Sequence, residues 1–317
     1  MRTAVVVGLL LATGCAARPP AVSEPIKPAT TGSSTASAPA RVAITLDDLG
    51  ATVESADPEL SARILKALGA QAAPVAVFVN CVHLRDDALA LWQHAGATIG
   101  NHTTTHLSLD AAGPDDAWWN DVKSCDDRLR RNLGEPVRFF RFPYLRYGKT
   151  AEFHEHAAQR LSDLGYRVAH VTAATSEWLV AGYYETALAR GDAGLAQDLA
   201  AAYVEHMVDS LQAAHDLAVR KTGHDVAQIT LAHVNRLAGD HLSDVLSALQ
   251  SRGWHFISLE EALRDPVYAQ PDAYVGGCGC SWLARIAPAL TRDAPYVFGD
   301  YEDQLRTRFE PRVSSLR

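Results

Sequence analysis

From Arg41 onward, short apolar runs rich in β-branched and aromatic residues alternate with longer amphipathic stretches. The runs are Val42–Leu46, Val75–Val79, Ala97–Gly100, Arg138–Phe142, Arg167–Val171, Gln228–Leu231 and His255–Leu259, seven predicted strands in all. Between them lie helical patterns such as "PELSARILKALGA", "PDDAWWNDVKSCDDRLRRNLG", "AEFHEHAAQRLSDLG", "AGLAQDLAAAYVEHMVDSLQAAHDLAVRK" and "GDHLSDVLSALQSRG". Several end in glycine just before the next run, as a helix stop does. Strands separated by helices imply an α/β protein with a parallel sheet covered on both faces.

The polar residues able to do chemistry fall at one kind of place. Asp47 and Asp48 follow the first run, Asn101 and His102 the third, and Arg141 to Tyr144 close the fourth. Glu177 and Trp178 stand just beyond the fifth, and His233 follows the sixth. In a parallel α/β barrel the strand ends meet on one face, where active sites are built.

A carboxylate and two imidazoles bind a divalent metal while leaving positions open for water and substrate. His102 and His106 are spaced as i and i+4, so both rings meet one point if the segment coils after the strand. Asp48 supplies a third ligand from a neighbouring strand end, and Asp47 remains free as a base. A metal so held lowers the pKa of water to about 7 and makes a nucleophile at neutral pH. Taken singly, each motif has a plainer reading. A DD pair serves turns and caps, HxxxH occurs on exposed helices, "RFPY" is a turn with Pro143 setting the backbone, and "LAH" is a strand end with one histidine.

The ordered set "TLDD" (45–48), "HTTTH" (102–106), "RFPY" (141–144), "SEW" (176–178) and "LAH" (231–233) resembles the motifs of the polysaccharide deacetylases, the NodB-homology carbohydrate esterases. The resemblance spans about residues 41–264 and implies a distorted seven-stranded parallel (β/α) barrel. It implies Asp47 as general base, and Asp48, His102 and His106 as ligands of zinc or a related divalent ion. Arg141 would orient Asp47, and the Tyr144 backbone N–H would share the oxyanion with the metal. His233 would be the general acid, oriented by Glu177, with Trp178 and Leu231 lining the pocket for the acetyl methyl. The set departs from the family at Leu46, where phenylalanine is usual, and in its fourth motif, where Ala174 and Glu177 replace aspartates.

Composition adds the surroundings. The chain has 317 residues, 48% hydrophobic, with a net charge of −8 and no run of Lys or Arg, so nucleic acid is not an expected partner. "MRTAVVVGLLLATGC" places Arg2 before a short apolar segment, the pattern of a secretory signal over residues 1–15. Its end resembles a bacterial lipobox with Cys15 as the lipidated residue, although Ala12 stands where leucine is usual. Residues 16–40 are Pro, Ser, Thr and Ala with few large apolar side chains and read as an unfolded linker. A catalytic domain over 41–264 and a C-terminal extension over 265–317 packed on the barrel complete the expected organisation. The expected location is the cell envelope, with the membrane touched only through an anchor at Cys15. Export suits Cys81, Cys125, Cys278 and Cys280 as disulfide formers, in any of three connectivities. The "CGC" at 278–280 reads as a disulfide or free thiols, because no second Cys or His pair with zinc-finger spacing accompanies it.

The expected function is therefore removal of N-acetyl, or O-acetyl, groups from a polysaccharide such as peptidoglycan or a chitin-like glycan. The alternatives are an inactive glycan-binding lipoprotein that keeps the metal site and a non-haem iron oxygenase. The oxygenase leaves the second aspartate, "RFPY" and "LAH" without a role.

Overall fold

The computed structural model describes residues 40–112, 116–286 and 298–314. The expected leader, most of the linker and Cys15 lie outside them. The strands are β1 Arg41–Leu49, β2 Val75–Val79, β3 Thr98–Asn101, β4 Phe139–Phe140, β5 Arg167–Val168, β6 Gln228–Ile229, β7 Ala232–His233 and β8 His255–Phe256. The helices are α1 Pro58–Ala70, α2 Asp86–His94, α3 Leu109–Ala112, α4 Asp116–Leu133, α5 Ala151–Asp163, α6 Glu177–Ala189, α7 Ala193–Thr222, α8 Arg236–Ser251, α9 Leu259–Ala262, α10 Trp282–Arg285 and α11 Phe298–Ser314.

Strand β1 is the axis of the sheet. All its positions from Val42 to Asp47 are buried, so it reads as a continuous run rather than an alternation. It pairs in parallel with β2 on one edge and with β6 and then β7 on the other, while β8 joins at its N-terminal end. The order β5-β4-β3-β2-β1-β6 curls, and the chain after β5 returns to β6 through one bridge, Ala173 to Thr230. This is the expected parallel α/β barrel in distorted form. Each of the seven extended runs read from the sequence contains or overlaps a strand, and β7 is an additional short strand just beyond the sixth run.

Strand limits differ from the expectation at the ends that matter. β1 continues to Leu49, so Asp47 and Asp48 lie inside it rather than after it. β4 and β5 are short because the chain leaves the ladder early to form the site loops. Gly165 ends α5 at φ 81, a left-handed turn that lets the chain enter β5 two residues later.

Helices α6 and α7 form an extra layer outside the βα alternation. Asp192 caps α7 by accepting from the Leu195 N–H at 2.9 Å. Leu195, Leu199, Tyr203, Leu211, Ala214 and Leu217 then bury one stripe of this 30-residue helix. The disulfide Cys81–Cys125, with Cα atoms 5.4 Å apart, ties the loop after β2 to α4.

Candidate active site

Consecutive side chains on a regular strand face opposite sides, yet Asp47 and Asp48 line the same cavity. The β1–β2 register shifts between Leu46 and Leu49, and Asp48 takes φ 71, so the irregularity turns the second carboxylate inward. Thr103, His106, Tyr144 and Leu145 also hold positive φ values of 69, 60, 57 and 50. Such conformations cost roughly 1–3 kcal/mol each in non-glycine residues and collect where function dictates the backbone.

The "HTTTH" segment does not coil into a helix. His102 and His106 meet because the chain bends through left-handed Thr103 and His106, which corrects the expected i, i+4 geometry. Buried His102 places Nδ1 2.8 Å from the Arg141 carbonyl, which only accepts, so Nδ1 carries the proton and Nε2 keeps its lone pair. Asn80 donates to the His102 carbonyl at 2.6 Å and fixes the segment from the other side.

Asp48 Oδ1 stands 3.6 Å from His102 Nε2 and 3.5 Å from His106 Nε2. It is buried and has no hydrogen-bond partner. Ligand atoms about 2.0–2.1 Å from a tetrahedral zinc lie about 3.4 Å apart, so this donor set fits such an ion. Burial, then the charge of His106, lowers the pKa of His102 to about 3, which keeps the ring neutral as a ligand must be.

Asp47 receives Arg141 Nη1 at 3.2 Å on Oδ1 and 3.4 Å on Oδ2. The guanidinium is itself fixed by Ala169 O at 2.7 Å, Thr45 Oγ1 at 3.1 Å and the Phe78 ring at 4.2 Å. Burial raises the Asp47 pKa against the lowering pull of Arg141, moving this carboxylate toward the basicity a proton acceptor needs.

The other wall comes from later in the chain. Asp47 and His233 are register partners across β1 and β7, so both side chains project to the same face. His233 Nδ1 lies 2.6 Å from Glu177 Oε1, and Asn235 Nδ2 donates to Glu177 Oε2 at 3.1 Å. Glu177, fully buried, opens α6, where the helix N-terminus favours negative charge. The longer side chain in place of aspartate thus still reaches His233. Burial works to lower the His233 pKa, but the hydrogen bond and charge of Glu177 outweigh it and lift it to about 9. Behind Glu177, the Ser176 N–H donates to His206 Nε2 at 2.8 Å. Burial lowers His206 to about 4, so it stays a neutral acceptor.

Of the predicted residues, Asp47, Asp48, His102, His106, Tyr144, Trp178, Leu231 and His233 line one cavity of about 1010 Å³. Arg141, Pro143 and Glu177 are buried behind its wall. Trp178, 46% exposed, and Tyr144, 57% exposed, stand at its rim. The sequence reading missed Asn235, Asn80 and His206; it expected the tail segment "GGCGCSWLARI" to shape the substrate groove without singling out Gly279, and Cys278 and Gly279 do line the cavity. Only Asn235 carried a local signal, as an N-cap residue before the α8 pattern.

A curled parallel sheet thus gathers Asp48, His102 and His106 beside Asp47 and His233 in one cavity. Residues 35–169 match the family model for polysaccharide deacetylase. The polysaccharide deacetylase Bc1974 from Bacillus cereus is similar in fold, with a TM-score of 0.50 and 16% identity over 69% of this chain and 91% of that one. The peptidoglycan deacetylase PdaC from Bacillus subtilis aligns with a TM-score of 0.48 and 17% identity over 71% and 92%. No curated protein matches the chain.

Proposed function

We propose that this protein is a metal-dependent deacetylase removing N-acetyl groups from an extracytoplasmic polysaccharide of the peptidoglycan or chitin type, with O-acetyl esters open to the same chemistry. The observation that carries the reading is the pairing of Asp47 with His233 across β1 and β7, beside the partnerless Asp48 oxygen and two imidazole nitrogens.

Asp48, His102 and His106 would hold the divalent ion, and two imidazoles with one carboxylate suit zinc. When bound, such an ion polarises the acetyl carbonyl and lowers the pKa of water to about 7. Asp47 accepts the proton of the attacking water, with Arg141 fixing the orientation of its carboxylate. The Tyr144 backbone N–H donates to the oxyanion as the carbonyl becomes tetrahedral. His233 gives its Nε2 proton to the leaving nitrogen, while Glu177 holds Nδ1–H and stabilises the cation. Trp178 and Leu231 provide apolar surface for the acetyl methyl. We further read the N-terminal pattern as an export signal ending at a lipidated Cys15, which would hold the enzyme at the cell envelope.

The test is acetate release from a panel of acetylated glycans by the metal-reconstituted protein, with Asp47→Asn as control. The reading expects release by the parent and none by Asp47→Asn, whose metal content is retained. Equal release by both sinks the assignment, and saturable glycan binding without any acetate would support a binding protein instead.

A further inference from the structure

The expected C-terminal extension reaches the cavity through the 278–280 loop and through Glu302 of α11. Cys278 and Gly279 line the cavity, and Cys278 and Cys280 are disulfide-bonded with Cα atoms 5.2 Å apart. Gly279 lies against the carbonyl of Tyr144 so closely that a Cβ there would overlap the Tyr144 oxygen. This is backbone against backbone, where no side chain can swing away.

The Tyr144 turn needs such support. Its own hydrogen bonds are Leu145 N–H to Phe142 O at 3.0 Å and Arg146 N–H to Pro143 O at 3.2 Å. They hold two successive non-glycine residues in left-handed conformation. The segment carrying Gly279 is built to stay in place. Arg285, fully buried, donates through Nε to Asp272 Oδ2 at 2.7 Å and through Nη2 to the Tyr274 carbonyl at 3.2 Å. Its guanidinium lies 4.2 Å from the Tyr147 ring, and the Cys278 N–H donates to Tyr274 Oη at 3.3 Å. The segment therefore grips the turn at both ends, Gly279 at Tyr144 and Arg285 at Tyr147.

We propose that Gly279, within the loop closed by the Cys278–Cys280 disulfide, is a positioning residue that holds the Tyr144 peptide in its left-handed conformation. The inference rests on the reading of the Tyr144 N–H as the oxyanion donor only for its effect on rate. The disulfide spans a single residue and leaves the loop few alternatives, so the press on the Tyr144 carbonyl is kept when substrate enters the cavity.

The experiment compares the full chain with two variants, Gly279→Ala and the double variant Cys278→Ser with Cys280→Ser. It measures amide hydrogen exchange, zinc content and acetate-release kinetics. In both variants amides 144–147 exchange at least about tenfold faster while the remaining barrel amides match the parent. Zinc content is retained, and kcat falls about tenfold or more with KM within about threefold, as for a donor that acts in the transition state. Parent-like exchange of 144–147 in both variants overturns the proposal, even if kcat falls. Zinc loss in step with kcat also overturns it, because the loop would then serve the ligand set. A parent that releases no acetate overturns the functional reading alone, since the exchange measurement still decides the positioning.

Discussion

The two walls of the cavity are built by different means. The ligand wall comes from β1 and the segment after β3, and it is shaped by backbone conformation, with Asp48, Thr103 and His106 all left-handed. It leaves the buried Asp48 Oδ1 without a protein partner. The acid wall is shaped by side-chain hydrogen bonds across long sequence separations, Glu177 to His233 and to Asn235, and both Glu177 oxygens are satisfied. A buried oxygen left unpaired costs free energy unless something else occupies it, whereas a satisfied network holds its members rigidly. Under the proposed function, one wall would receive a charge from outside and the other would keep a proton in place.

The contrast can be broken experimentally, and the largest effect belongs to the ligand wall. Asp48→Ala should lower zinc affinity by more than the roughly 100-fold that loss of an outer partner costs, with acetate release lost in parallel. Metal analysis after dialysis checks it, and full zinc retention would break the ligand assignment.

Glu177→Gln should lower kcat about 100-fold and leave zinc content unchanged. It should also move the alkaline limb of the pH profile. The His233 pKa is raised in the folded protein, so its ion pair with Glu177 is complete below about 6.5 and is lost as pH rises through about 9. Activity that depends on protonated His233 follows the same limb, which the variant should shift to lower pH. An unmoved limb would remove His233 from the role of acid.

Asn235 sharpens the comparison, because it serves structure and site together. Its Oδ1 accepts from the Ala238 N–H at 2.8 Å to cap α8, while its Nδ2 steadies Glu177. Asn235→Ala should cost about 1 kcal/mol of stability through the cap and about tenfold in kcat through Glu177. Asn235→Asp keeps the cap but sets a like charge beside Glu177, so it should spare the melting temperature more than the rate. The smallest effect is expected for Trp178→Ala at the half-open rim, a rise in KM of about threefold with kcat little changed.

Much of the ligand wall was legible in the sequence because its determinants are local. "TLDD" and "HTTTH" each hold their chemistry within a few residues beside an apolar run, and periodicity placed both at strand ends. The way they converge was not legible, since a register shift in β1 and a bend through left-handed residues replaced the expected coil. The acid wall was legible only as separate pieces. Glu177 stood one methylene beyond the usual aspartate, and whether it reached His233 depended on where α6 begins relative to β7. Asn235, His206 and Gly279 left little trace, because their contacts join segments that periodicity treats as independent.

The sequence by itself determined the alternation of strand and helix, the parallel sheet, and the residue types gathered at the strand ends. These follow from hydrophobic periodicity and from chemistry carried by single side chains. Only the tertiary structure decided that Cys81 pairs with Cys125 and Cys278 with Cys280, that Glu177 meets His233, and that Gly279 of a C-terminal loop lies too close to the Tyr144 carbonyl to carry a side chain. The reason is physical: such contacts depend on the distance between elements far apart in the chain, which packing of the whole core fixes and no local pattern records.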